Sequence, residues 1–192
     1  MKSYKTLLFI LGSLFLINFS TNAQTLEELK AMRDELKAEL KGNAHLDREK
    51  RMEKLKEPGT VNLAAVDQLA ASSFTVLTRS IEFGDLVPEM YKRVIGETVD
   101  GVTDVTVKKP TLAEVAELGA NIASVIATLV QLQQAAKTAA EDVKKASPLQ
   151  APKAAKSMNF SREVIELTLP ELELNAKVVK NLIETIKSSK NY

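Results

Sequence analysis

The chain has 192 residues, of which 26 are lysine or arginine and 25 are aspartate or glutamate, and it contains no cysteine. This near-balance of charge gives no electrostatic basis for binding nucleic acid, which requires a basic excess or patch. The lack of cysteine excludes thiol catalysis, zinc–thiolate sites, iron–sulfur clusters and acylation at a lipobox cysteine.

Residues 1–23 have the three-part layout of a secretory signal peptide. Two lysines precede an apolar run over residues 7–17, and Ala23 ends a short polar segment before Gln24. The run is shorter than the roughly 20 apolar residues that a membrane-spanning helix needs. The segment resembles a bacterial Sec signal peptide. We therefore expect an exported, unlipidated protein of residues 24–192, located in the periplasm or secreted.

Residues 24–57 predict a charged helical arm or hairpin. Thr25 and Glu28 have the spacing of a capping box, which starts a helix. Eighteen of the residues in this segment are charged, nine of each sign, which is typical of a solvated helix. The apolar positions form a single stripe: Leu26, Leu29, Met32, Leu36 and Leu40. We expect an exposed arm; the alternative is a docking surface of the coiled-coil type.

Residues 58–192 are expected to form the core of the bundle, although residues 24–192 can constitute one domain. Pro58 and Gly59 end the arm. A helix is expected over residues 62–82, with a second, short helix over residues 88–95. Valines alternate with polar residues over residues 101–109, and we interpret this segment as an extended loop because a lone strand has no partner.

Two long helices are predicted from heptad spacing, over residues 111–147 and 160–188. Thr111 and Glu114 form a second capping box, residues 147–157 have the composition of a linker, and Pro170 is expected to kink the last helix. The first seam consists of Val115, Leu118, Ile122, Val125, Leu129, Leu132, Ala136, Ala139 and Val143. The second consists of Ile165, Leu169, Leu172, Ala176, Val179, Ile183 and Ile186. The fold class is therefore an all-α bundle of about four to five helices.

The search for catalytic or metal-binding residues is negative. His45 is the only histidine, and it has Glu49 one helical turn later. Because a metal site needs three or four convergent ligands, we expect His45 to be a solvated surface residue. Carboxylate pairs such as Glu171 and Glu173 are expected by chance in a chain with 25 acidic residues. No catalytic, cofactor-binding or metal-ligating residue is assigned, and no cofactor is expected.

Residues 118–136 contain no charged side chain. Small residues recur there at four-residue steps, a spacing that lets helices approach closely in membranes. The heptad accounts for the same segment as a central helix that is buried on all sides of a soluble bundle. We expect the buried helix, and membrane insertion of residues 118–136 is the alternative.

Three functions fit these observations. The first is a non-enzymatic exported bundle that acts by protein–protein contact, with a partner protein or with a second copy of itself. The second is a membrane-active protein that inserts residues 118–136, in the manner of a helical pore-forming protein. The third is a carrier of an apolar ligand in the bundle interior.

Overall fold

The computed structural model describes residues 25–99, 102–104 and 108–189. The predicted signal peptide lies outside these residues. The helices are α1 (Leu26–Leu40), α2 (Asn43–Met52), α3 (Ala64–Ile95), α4 (Leu112–Val143) and α5 (Ala151–Ser188), and a short ribbon of strands β1 (Glu97–Val99) and β2 (Val102–Asp104) lies between α3 and α4. These five helices of the described ranges confirm the predicted all-α bundle.

Helix α5 occupies the centre of the bundle. It packs against α3 and α4, which also pack against each other, and its remaining surface contacts α1 and α2. Its buried positions therefore extend over more than one helical face, and they include the polar residues Thr168, Glu171, Asn175 and Asn181. A central helix with buried polar side chains needs hydrogen-bond partners from the helices around it.

Helix α3 is a single helix, whereas the sequence predicted a helix over residues 62–82 and a separate short one over residues 88–95. Pro88 lies inside it. Phe83, Val87 and Val94 are all buried on the same side, so the core contact continues past the proline. Burial of these side chains outweighs the cost of about 3 kcal/mol that proline imposes within a helix.

Helix α4 begins where the capping box predicted. Thr111 Oγ1 accepts a hydrogen bond from the backbone N–H of Glu114 at 3.2 Å, and Glu114 Oε2 accepts one from the backbone N–H of Thr111 at 2.6 Å. These hydrogen bonds lower the pKa of the Glu114 carboxyl group. The helix ends at Val143, a turn earlier than predicted. Within the seam Ile126 is buried and Val125 only half-buried, so the buried face is displaced by one residue there.

Helix α5 begins at Ala151, inside the segment that the sequence predicted as a linker. Pro152 lies in its first turn, where a missing backbone N–H costs nothing. Ala154 and Ser157 are buried, so packing adds two turns to the expected helix. The helix runs on through Pro170, in agreement with the predicted continuous helix.

The ribbon corrects the interpretation of residues 102–104, which belong to the segment 101–109 that was expected to be an extended loop. Strand β2 has an antiparallel partner in β1, with Glu97 opposite Asp104 and Val99 opposite Val102. Gly96, which separates α3 from β1, has a φ of 88°, a conformation that favours glycine. The turn out of α3 thus provides the strand partner that the sequence pattern did not indicate.

Candidate functional site

The N-terminal hairpin of α1 and α2 packs on α5, which corrects the expectation of an exposed arm. Leu29, Leu36 and Met52 are buried, although Leu26 and Met32 of the same predicted stripe are exposed. The side-chain amide of Asn181 donates a hydrogen bond to the backbone oxygen of Leu29 at 2.9 Å. Polar side chains of α5 therefore help to hold a highly charged hairpin that has few apolar residues of its own.

His45 is buried between two carboxylates, so the prediction of a solvated surface histidine is wrong. Its Nδ1 atom lies 2.6 Å from Glu171 Oε2, and its Nε2 atom lies 3.3 Å from Glu49 Oε1. Only the protonated imidazolium can donate from both ring nitrogens at once. His45 thereby connects α2 to the centre of α5.

Glu171 is the second essential member of this cluster, and it is only 3 % exposed. Its Oε1 atom accepts a hydrogen bond from Arg48 Nε at 2.5 Å, while its Oε2 atom faces His45. Arg48 supplies the cationic partner that a buried carboxylate requires, and His45 provides a second polar contact. A polar stripe at helical spacing, formed by Thr168, Glu171 and Asn175, is the sequence signal that points to this buried position.

An open cleft adjoins the cluster where α2, α3 and α5 meet, and it encloses about 370 Å³ including open solvent. Glu171, Ser80, Asn175 and Met52 are its buried residues, while Glu53 and Asp85 are exposed at its rim. The remaining lining residues are Glu49, Ile81 and Gly84. Its four carboxylates make the cleft unsuited to an apolar ligand.

The pKa of Glu49 reflects both burial and the charges around the cleft. Burial raises the pKa of its carboxyl group, His45 opposes that effect, and the negative charges of Glu171, Glu53 and Asp85 raise the pKa further. In the described part of the chain, no group of three or more histidine, cysteine, aspartate or glutamate side chains lies close enough to hold a metal ion. The cleft is thus negatively charged without having the geometry of a metal centre.

The outer face of α4 is the second notable surface. The expectation that residues 118–136 are buried on all sides is wrong, because only one face of α4 packs on the bundle. Between Ala120 and Gln134 the exposed residues are all small or uncharged, whereas Glu114 and Glu117 are exposed before this stretch and Lys137 after it. The residues of the uncharged stretch are Ala120, Asn121, Ser124, Ala127, Gln131 and Gln134. Among the described residues, α4 is the helix that is long and apolar enough to cross a membrane. Its most apolar 18-residue stretch has a mean hydropathy of 1.5, and 33 % of that stretch is buried in the bundle.

No family model, curated protein or solved structure matches this chain. Function is therefore inferred from the two surfaces described above, the cleft and the outer face of α4. The exposed face of α4 lacks charge from Ala120 to Gln134, a stretch of about four helical turns. The cleft is small and strongly acidic.

Proposed function

We propose that this protein is a non-enzymatic, exported helical bundle that binds another protein through the outer face of α4. The observation that carries the proposal is the lack of charge on the exposed face of α4 from Ala120 to Gln134, in a chain of which 27 % is charged. Charged residues are depleted at the centre of protein–protein interfaces, because removing them from water is costly. Alanines and serines on the same face allow the backbone of a partner to approach closely.

The partner that fits this face is a helix with an apolar stripe. Ala116, Ala120 and Ser124 are exposed at four-residue steps along α4. Their small side chains leave room for larger aliphatic side chains of a partner helix, with helix axes about 8–10 Å apart. Leu112 is 38 % exposed at the start of the same helix and extends the apolar surface. Asn121 and Gln131 can form hydrogen bonds at the edge of the interface.

The proposal has two further parts: the protein is exported, and it is not an enzyme. Residues 1–23 support export through their signal-peptide layout. The single histidine is engaged by two carboxylates, which leaves no free histidine to act as a general base.

Intact-mass analysis of the protein isolated from the cell envelope tests export, because cleavage before Gln24 gives the mass of a chain that begins at Gln24. A protein that retains residues 1–23 contradicts this part of the proposal.

Substitution on the face of α4 tests the proposed interaction. Ala120→Glu combined with Ala127→Glu introduces two charges on an exposed surface, so the fold is retained while partner binding is lost. Ala38→Glu, on the exposed side of α1, is the matched control. The measurement is co-purification of a specific envelope protein, identified by mass spectrometry, together with circular dichroism. Equal recovery of that protein with the face variant and the control contradicts the proposal, and self-association lost only in the face variant identifies a second copy as the partner.

Membrane insertion of α4 is the second candidate function, and the hydropathy of α4 favours it. The polar residues Asn121, Gln131 and Gln134 oppose it, because each is costly in the hydrocarbon core. Dye release from liposomes separates the two functions. Insertion is supported if the unaltered protein releases dye and the variant with Ala120→Glu and Ala127→Glu does not. The protein interface is supported if the liposomes stay intact and the partner binds.

A further inference from the structure

The cleft between α2, α3 and α5 has the features of a binding site for a cation. Four of its lining residues are carboxylates, Glu49, Glu53, Asp85 and Glu171, and no lining residue is basic. Glu171 contacts Arg48 and His45 from the side of α2, and Glu49 contacts His45. Glu53 and Asp85 are therefore the carboxylates of the cleft that no ion pair among the described residues engages. This surface is distinct from the outer face of α4 and does not depend on the proposed interaction there.

A second observation at the same place is the buried hydroxyl group of Ser80. Ser80 is 1 % exposed, lines the cleft and has no hydrogen-bond partner for its Oγ atom. A buried polar atom without a partner is costly, and such atoms are uncommon in folded proteins. A ligand with N–H donors that reaches this end of the cleft would satisfy it.

Gly84 has no side chain, which leaves space in the cleft between α3 and Glu49. A Cβ atom at position 84 would lie 3.6 Å from Glu49 Oε1, in ordinary van der Waals contact, so a side chain is sterically possible there but would occupy the cleft. Met52 and Ile81 supply apolar surface next to the carboxylates. The cleft thus combines negative charge at its mouth with an apolar wall and an unpaired hydroxyl group.

We propose that this cleft binds a primary alkylammonium group. The ammonium donates charge-assisted hydrogen bonds to the carboxylates of Glu53 and Asp85 and a further hydrogen bond to Ser80 Oγ, and its alkyl chain packs on Met52 and Ile81. A metal ion suits the cleft less, because among the described residues the carboxylates do not form the convergent group of three or more ligands that it needs. The same chemistry is provided by a free alkylamine and by a lysine side chain of a peptide.

The experiment is an NMR titration of the full chain, as isolated after expression, with n-butylammonium chloride and, separately, with Nα-acetyl-lysine amide. Saturable shifts confined to the amides of α2 and α3 around the cleft are expected, with an affinity in the millimolar range. Sodium chloride at equal ionic strength is the control for screening. The probe that binds more tightly identifies the source of the ammonium group, and either order supports the site.

Variants decide whether the cleft is responsible. Glu53→Gln combined with Asp85→Asn should weaken binding about tenfold, because two charge-assisted hydrogen bonds are lost. Ser80→Ala and Gly84→Ala should each weaken it about threefold or more, by removing the hydroxyl acceptor or filling the wall. Asp34→Asn combined with Glu35→Gln, on the exposed side of α1, is the matched control for loss of charge and should bind as the unaltered protein does. Shifts that match those caused by sodium chloride, or binding that the cleft variants leave unchanged, overturn the proposal.

Discussion

His45 Nδ1 lies 2.6 Å from Glu171 Oε2 although the two residues are 126 positions apart in the sequence. This contact joins the N-terminal hairpin to the central helix, and Arg48 completes it from the same face of α2. The hairpin is therefore attached through a buried ion-paired cluster as well as through apolar packing. Its attachment should respond strongly to the loss of one charged partner.

Replacing Glu171 by alanine should lower the free energy of unfolding by about 3 kcal/mol, because His45 and Arg48 lose the carboxylate that compensates them. Urea unfolding followed by circular dichroism measures the change. Glu163→Ala is the matched control, since Glu163 pairs with Arg51 at 2.9 Å on an exposed surface. That control should have little effect. An equally small effect of Glu171→Ala would show that the buried cluster does not hold the hairpin.

Asn181→Asp should detach α1 selectively. The substitution keeps the shape of the side chain, but it replaces the amide that donates to the oxygen of Leu29 by a carboxylate that repels it. The expected cost is about 2 kcal/mol. Hydrogen exchange should become faster at residues 26–40 than at α4, whereas Lys180→Ala, at the exposed neighbouring position, should leave both unchanged. A uniform acceleration over all helices would contradict a local role for Asn181.

Glycines 84 and 119 should respond differently to alanine. Both lie inside helices, where alanine is favoured over glycine by about 0.8–1.0 kcal/mol. At Gly84 the added Cβ meets only Glu49 Oε1 at 3.6 Å, so stability should rise. At Gly119 it would lie 3.2 Å from Val179 Cγ1 in the packed interface with α5, which should cancel most of the gain. Thermal unfolding of the two variants tests this, and a larger gain at Gly119 than at Gly84 would contradict the packing described for α4.

Glu49→Gln should stabilise the protein in a pH-dependent manner. The pKa of Glu49 is raised in the folded protein by burial and by Glu171, Glu53 and Asp85, with His45 acting in the opposite direction. A carboxyl group with a raised pKa contributes stability while it is protonated, and this contribution is lost as the pH rises through that pKa. The stability of the variant relative to the unaltered protein should therefore increase as the pH rises above the ordinary carboxyl pKa of about 4.3.

Equilibrium unfolding at several pH values checks this sign. A difference between the two proteins that decreases as the pH rises would mean that attraction to His45 outweighs burial. Glu35→Gln, on the exposed side of α1, is the matched control for the loss of one carboxyl group.

The sequence predicts the helices well because capping boxes and heptads are local signals. Thr111 and Glu114 are three residues apart, and the two backbone-to-side-chain hydrogen bonds of the capping box are found as predicted. The helix ends that were wrong depend on tertiary packing: burial of Val87 and Val94 continues α3 past Pro88, and burial of Ala154 starts α5 early. Burial of this kind depends on residues distant in the sequence, so a short segment of sequence does not predict it.

The buried cluster was missed for the same reason. The spacing of His45 and Glu49 places both on one face of α2, but it gives no information about the helix opposite. Glu171 provides the decisive contact from a position 126 residues away, and it lies within an amphipathic helix that contains many other carboxylates. The uncharged segment 118–136 was recognised correctly as unusual, whereas its exposed face follows only from the arrangement of α4 against α3 and α5.

Site-specific photo-crosslinking from α4 is the most direct test of the central claim, that this protein binds another protein through the outer face of α4. A photoreactive phenylalanine analogue is placed at Ala120, or at Ala38 on α1 as the control, in the full chain expressed in its own cell envelope. The account predicts one discrete protein adduct from position 120, absent from position 38 and lost on adding Ala127→Glu. Crosslinks that are equal at both positions, or that form only to lipid from position 120, would contradict it.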